Sequence, residues 1–270
     1  MKNLNIIYIL LLMISLTACE KDNKTAPDNT SDMVMISQTD SKGGDFTVEL
    51  MAKDTLFAGY NKLYLNIKDK SSGSAVTNAT VKLYPLMNMM MAKHAAPVEN
   101  PGENADANGY FEGAVVFVMP SNSSEYWSMG ATIAANGMSD TVSFAIPVVK
   151  NPEEARVINV VSPIDSVTYF ISLVEPMAPK VGMNDLEFAV HYKKNMMSFP
   201  AVDDLTISFV PEMPSMGHSS PNNVDPVFME DGHYKGQVNF TMTGWWKLNL
   251  TLKKGNTLIS DNLSFNITFQ

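Results

Sequence analysis

Trp246-Lys247-Leu248-Asn249-Leu250-Thr251-Leu252 alternates apolar and polar side chains without a break. A strand turns successive side chains to opposite faces, so this stretch predicts a strand with one face buried. The same alternation runs through Leu63, Leu65 and Ile67, through Leu205, Ile207 and Phe209, and through Val238, Phe240 and Met242. Asn136-Gly137 and Gly255-Asn256 lie between strand-like runs and predict hairpin turns. Beyond the N-terminal leader no segment keeps a helical period for three turns. Short strands with frequent turns, about six or seven per hundred residues, predict an all-β chain of antiparallel, immunoglobulin-like sandwiches.

The chain also resembles itself. Gly59-Tyr60-Asn61-Lys62-Leu63-Tyr64-Leu65 lies against Gly182-Met183-Asn184-Asp185-Leu186-Glu187-Phe188, and Gly109-Tyr110-Phe111-Glu112-Gly113 against Gly232-His233-Tyr234-Lys235-Gly236. Ser139-Asp140-Thr141-Val142-Ser143-Phe144 matches Ser260-Asp261-Asn262-Leu263-Ser264-Phe265. Two tandem copies account for 270 residues better than one large domain. The expected division is a leader at 1–18, a flexible tether at 19–44, a first sandwich at 45–149, a linker at 150–163 and a second sandwich at 164–270.

Composition narrows the function. A net charge of −9 argues against binding nucleic acid, which needs clustered Lys and Arg. One cysteine can form neither an intramolecular disulfide nor a Cys-x-x-Cys pair. Ile6 to Leu16 is an apolar run suited to a signal-peptide core and too short to span a bilayer. It ends in Leu16-Thr17-Ala18-Cys19, which resembles the bacterial lipobox. Cys19 is then the expected lipidation site, the lipid bilayer the first partner, and the cell envelope the location. No Gly-x-Ser-x-Gly elbow, Walker loop or His-Glu-x-x-His is present, so the expected protein is not an enzyme.

The chain holds 20 methionines. Met119 and Met242 continue inward strand faces and read as core. Two further groups stand in equivalent contexts, each a strand, a proline, methionines and a histidine. The first is Pro85-Leu86-Met87-Asn88-Met89-Met90-Met91-Ala92-Lys93-His94, the second Pro211-Glu212-Met213-Pro214-Ser215-Met216-Gly217-His218. Proline and glycine predict that both are loops. Thioether sulfur and imidazole together select soft Cu(I), and thioether needs no deprotonation. Met87, Met89, Met90, Met91 and His94 are the candidate ligands of the first copy, and Met213, Met216 and His218 those of the second. Met229 and His233 are weaker candidates. A competing reading makes these loops adaptable hydrophobic tips. His191 falls opposite Leu186, Phe188 and Val190 and is expected to face solvent; Trp127 and Trp246 are expected in the core, and Trp245 outward.

Three segments of the second copy carry a family resemblance: Pro211 to His218, Asp231-Gly232-His233-Tyr234-Lys235-Gly236, and Met242-Thr243-Gly244-Trp245-Trp246. In that order they resemble the YtkA-like domain, a small extracytoplasmic β-sandwich family related to the FixH-like proteins. The first copy departs from it, with Met91-Ala92-Lys93-His94 in place of Met216-Gly217-His218. The resemblance implies a copper-associated or oxidase-assembly accessory role and no catalytic residues. The expectation is therefore a lipid-anchored copper(I) buffer or chaperone that passes metal to a membrane oxidase or efflux system. The alternative is a cell-surface module that contacts protein or glycan and holds no metal.

Overall fold

Strand alternation is realised throughout the computed structural model, which describes residues 33–151 and 154–270. The expected leader and Cys19 lie outside the described residues.

The first half forms β1 (Val34–Asp40), β2 (Phe46–Ala52), β3 (Gly59–Asp69), β4 (Thr80–Asn88), β5 (Lys93–Ala95), β6 (Val98–Glu99), β7 (Phe111–Phe117), β8 (Tyr126–Ala135) and β9 (Met138–Ile146). The second forms β10 (Val157–Val161), β11 (Thr168–Glu175), β12 (Gly182–Tyr192), β13 (Leu205–Met213), β14 (His218–Ser219), β15 (Val224–Phe228), β16 (His233–Phe240), β17 (Gly244–Lys254) and β18 (Thr257–Phe269). The sheets of the first half run β1-β2-β3-β7-β6 and β5-β4-β8-β9. Those of the second run β10-β11-β12-β16-β15 and β14-β13-β17-β18. Each second-half strand stands where its first-half counterpart stands, so the two halves share one topology. The chain is a tandem pair of immunoglobulin-like β-sandwiches, and every pairing between named strands is antiparallel.

Each sandwich closes on its own apolar core. Leu50, Leu65, Phe117, Trp127 and Phe144 belong to the first, and Phe188, Leu205, Phe240, Trp246, Leu248 and Leu250 to the second. The hairpin turn at Asn136-Gly137 forms with both residues at positive φ, the type I′ geometry that matches strand twist. The repeat extends to side-chain clasps. Asn61 bonds through Oδ1 and Nδ2 to the backbone of Phe57, and Asn184 does the same with Lys180. Gly236 has a steric reason: a Cβ there would strike the carbonyl oxygen of Val224 on the edge strand.

Two boundary expectations need correction. Residues 34–40, read as tether, are strand β1, paired with β2. Residues 157–161, read as linker, are its counterpart β10, paired with β11. Both are edge strands whose side chains are at most partly buried, Ile36 against the first core and Ile158 and Val160 against the second, so neither shows the fully buried alternation of an inner strand.

The two sandwiches meet along the outer faces of their five-stranded sheets. Tyr60, Ala114 and Val116 of the first pack against Val174 and Ala189 of the second. His191 was expected to face solvent and is instead buried, only 3% exposed. It does point away from its own core, but that outer face of β12 is covered by the other sandwich.

Candidate functional site

The Met/His segments are hairpins: only their tips, residues 89–92 and 214–217, are the turns expected, and their flanks belong to strands. Met87 is the last residue but one of the long strand β4 and stands directly across from His94 on β5. Met213 ends β13 and stands directly across from His218 on β14. Directly opposed residues of an antiparallel pair share a face with their Cβ atoms about 5 Å apart. The prolines read as terminators lie within the strands, Pro85 opposite Met129 and Pro211 opposite Leu248. Each sits one step before the short edge strand begins, so no donor is required of it there.

A tryptophan completes each group. Met87 pairs on its other side with Trp127 of β8. In the second sandwich Glu212 pairs with Lys247, which sets Met213 beside Trp246. The His94 ring meets Trp127 edge-on at 5.3 Å and 86°. His218 meets Trp246 at 5.8 Å and 76°. Both indoles are fully buried, and each donates its N–H to a loop carbonyl: Trp127 to Met119 at 2.8 Å, Trp246 to Met242 at 3.0 Å. The histidines are held alike. His94 Nδ1 lies 2.8 Å from the Ala95 carbonyl and His218 Nδ1 lies 3.0 Å from the Ser219 carbonyl. A carbonyl only accepts, so Nδ1 carries the hydrogen and the neutral ring keeps its lone pair on Nε2.

The turns beyond these pairs carry exposed thioethers. Met89 N–H bonds to the Ala92 carbonyl at 3.0 Å and closes a tip bearing Met90 and Met91, 83% and 98% exposed. In the second sandwich Met216 and Gly217 N–H groups both bond to the Met213 carbonyl, and Met216 is 62% exposed. Met87 and Met213 themselves are buried, and Met89 packs partly against the first core. Each sandwich thus ends in a buried Met, a His over a buried Trp, and one or more exposed Met.

Other placements differ from expectation. Met242 is exposed in the β16–β17 turn, whereas Met119 is partly buried against the first core. The alternation carrying Met242 stops at Phe240, where β16 ends. Trp245 faces outward, as expected, and donates to Asn266 Oδ1 at 3.1 Å. Met229 and His233 do not join the Met213–His218 pair: Met229 follows β15, and His233 opens β16 on the opposite sheet. His233 is fully engaged elsewhere. Its Nδ1 donates to Glu187 Oε1 at 2.6 Å and its Nε2 to Glu99 Oε1 at 2.8 Å, the latter across the joint between the sandwiches. A ring clamped by carboxylates at both nitrogens has no lone pair for a metal.

That joint is the polar centre the sequence did not reveal. The Tyr60 hydroxyl donates to Glu99 Oε2 at 2.7 Å, and its ring meets His233 edge-on at 5.5 Å. Lys235 adds a cation 3.4 Å from Glu187 Oε1. Burial by itself would lower the His233 pKa, but the hydrogen bonds and charges of Glu187 and Glu99 outweigh it and raise it to about 9. For both glutamates burial acts upward, and the bonds to His233 hold them below the usual carboxylate range. His191 lies at the same joint with its Nδ1 buried and unbonded, and burial pushes its pKa down to about 4.

Among the described residues no group of three or more His, Cys, Asp or Glu is placed to hold a metal ion. The donors gathered at the sandwich ends are thioether and imidazole.

No curated protein matches the chain. Among solved structures, invasin, described as a bacterial integrin-binding protein, aligns at 14% identity and a TM-score of 0.26. That alignment covers 83% of this chain, which spans 39% of the invasin chain. FdeC, described as an Escherichia coli adhesin, aligns at 11% identity over 88% of this chain and 67% of its own, with a TM-score of 0.25. A titin fragment aligns at 8% identity over 79% of this chain and 90% of its own, with a TM-score of 0.19. Residues 165–251, the greater part of the second sandwich, match the family model described as YtkA-like.

Proposed function

We propose that the chain is an extracytoplasmic copper(I)-binding protein, anchored by lipid at Cys19, that buffers the ion or hands it to a membrane oxidase or efflux system. The observation that carries this reading is the duplicated Met–His–Trp group at equivalent ends of the two sandwiches. Its donors suit the ion. Thioether and imidazole are the ligand types that favour Cu(I), and each Nε2 keeps its lone pair because Nδ1 is committed to a carbonyl. A buried methionine with at least one exposed one in each group suits a site that exchanges its ion by ligand replacement. His218 with Met216 and Met213 would hold the ion in the second sandwich, and His94 with Met87 and Met89, Met90 or Met91 in the first. No residue in either group is assigned a catalytic role.

Anaerobic Cu(I) titration against a competing chromophoric chelator tests this. Met213 supports the core, so the informative variant pairs Met216→Ala with His218→Gln, both outside it. The expected result is a loss of at least about tenfold in affinity at one site, since even outer-shell changes cost 10–100-fold. No uptake by the wild-type protein would end the metal reading.

A second reading rests on the exposure of Met90, Met91 and Met216 at turn tips. Flexible thioethers there form an adaptable contact surface, and the chain is then a cell-surface module for protein or glycan. Retention of a partner after metal stripping distinguishes it.

A further inference from the structure

The joint between the sandwiches holds two histidines in opposite circumstances. His233 bridges Glu187 of its own sandwich and Glu99 of the other, at 2.6 and 2.8 Å, as a doubly donating imidazolium. His191, on the same outer face of β12 as Glu187 and Ala189, is buried with an unbonded Nδ1. The titratable groups facing them are Tyr60 on β3, Glu99 on β6, Glu187 on β12 and Lys235 on β16, while β11 sets the uncharged Phe170 across from His191 and β7 brings the apolar Ala114 and Val116. Lys62 and Glu112 pair with each other nearby on the first sandwich. A backbone bond also crosses the joint, from the Ala95 N–H to the Met196 carbonyl at 2.8 Å.

We propose that this joint is a proton-operated latch: the Glu99–His233–Glu187 bridge holds the sandwiches together near neutral pH, and loss of the His233 proton or gain of one by His191 opens it. Removing the His233 proton leaves a neutral ring that can donate to only one of two buried carboxylates. Adding a proton to His191 places a second cation beside the first in a site with no acceptor for its Nδ1. Opening frees the Asn195–Ser198 turn, with exposed Met197, from the strand that carries His94.

The two limbs have opposite signs. His233 has a closed-state pKa raised from 6.5 to about 9, so its contribution is full below 6.5 and is lost as pH rises through about 9. His191 has a closed-state pKa lowered from 6.5 to about 4, so its contribution is full above 6.5 and is lost as pH falls toward about 4. If both return to the ordinary value on opening, the joint is tightest near pH 6.5. Opening is then favoured about eightfold at pH 5 and about eightfold at pH 8.

The Ala95 amide reports directly on the joint through hydrogen exchange, after correction for the intrinsic pH dependence of exchange. In the wild-type protein its protection should peak near pH 6.5 and fall about eightfold toward pH 5 and pH 8, while amides of β8 stay level. His191→Gln should remove the acid limb alone and His233→Gln the alkaline limb alone. Ala95 protection that tracks the β8 amides at every pH would overturn the latch, as would an acid limb that persists in His191→Gln. Should either variant fail to fold, the wild-type profile decides: a maximum between two falling limbs supports the latch, and a flat profile overturns it.

Discussion

Trp246→Ala is expected to destabilise the second sandwich by about 3–5 kcal/mol, the range for removing a buried aromatic from a core. Trp246 is fully buried, stands 5.4 Å from Phe240 and 5.8 Å from His218, and anchors the β16–β17 turn through Met242. Truncation removes all three contacts and leaves a cavity that strands β13 and β17 cannot close without moving. Trp245→Ala supplies the control one residue away. Trp245 is 43% exposed, and its loss should cost well under about 1 kcal/mol, as surface changes do. Urea unfolding followed by circular dichroism measures both losses. Equal losses from Trp245→Ala and Trp246→Ala would contradict the assignment of inward and outward faces.

His233→Ala is expected to be nearly as costly. It leaves Glu99 and Glu187 facing one joint without the cation between them. Breaking a buried pair by removing one partner costs about 3–5 kcal/mol, because the remaining charge loses its compensation. The effect has a definite pH dependence. The wild-type contribution of His233 is full below pH 6.5 and fades as pH rises through about 9. The stability gap between wild type and variant should therefore be wide at pH 6.5 and narrow at pH 9.5. Chemical unfolding at the two values measures it, and an equal gap at both would mean that packing, not charge, gives His233 its role.

Much of the fold was legible because a half-buried strand writes its geometry into alternate positions. Leu63, Leu65 and Ile67 and the run from Trp246 to Leu252 are strands with their odd or even members inward, as the pattern requires. What escaped detection did so for identifiable reasons. Edge strands β1 and β10 bury neither face well, so they carry no period. Alternation told which way His191 points but not that the other sandwich lies there. A signal for that contact did exist: Gly113-Ala114-Val115-Val116-Phe117 is a continuous apolar run, the mark of a strand covered on both faces. At the sandwich ends the sequence pointed to the equivalence of the two Met/His segments, but Pro85 and Pro211 suggested loops. Only the register reveals that each methionine faces its histidine across two strands, with tryptophan behind. The Glu99–His233 contact joins residues far apart in sequence, and no local pattern announces it.

The edge-on contact of each imidazole with a buried indole has one more consequence. Trp127 is the sole tryptophan of the first sandwich, and His94 lies 5.3 Å from its ring. A charge arriving on that imidazole changes the electric field felt by one identifiable chromophore. The same holds for His218 and Trp246 once Trp245 is replaced by phenylalanine. A variant that keeps only Trp127, and another that keeps only Trp246, would each carry an intrinsic optical gauge at one end, so a change at His94 could be followed in emission apart from a change at His218 without any added dye.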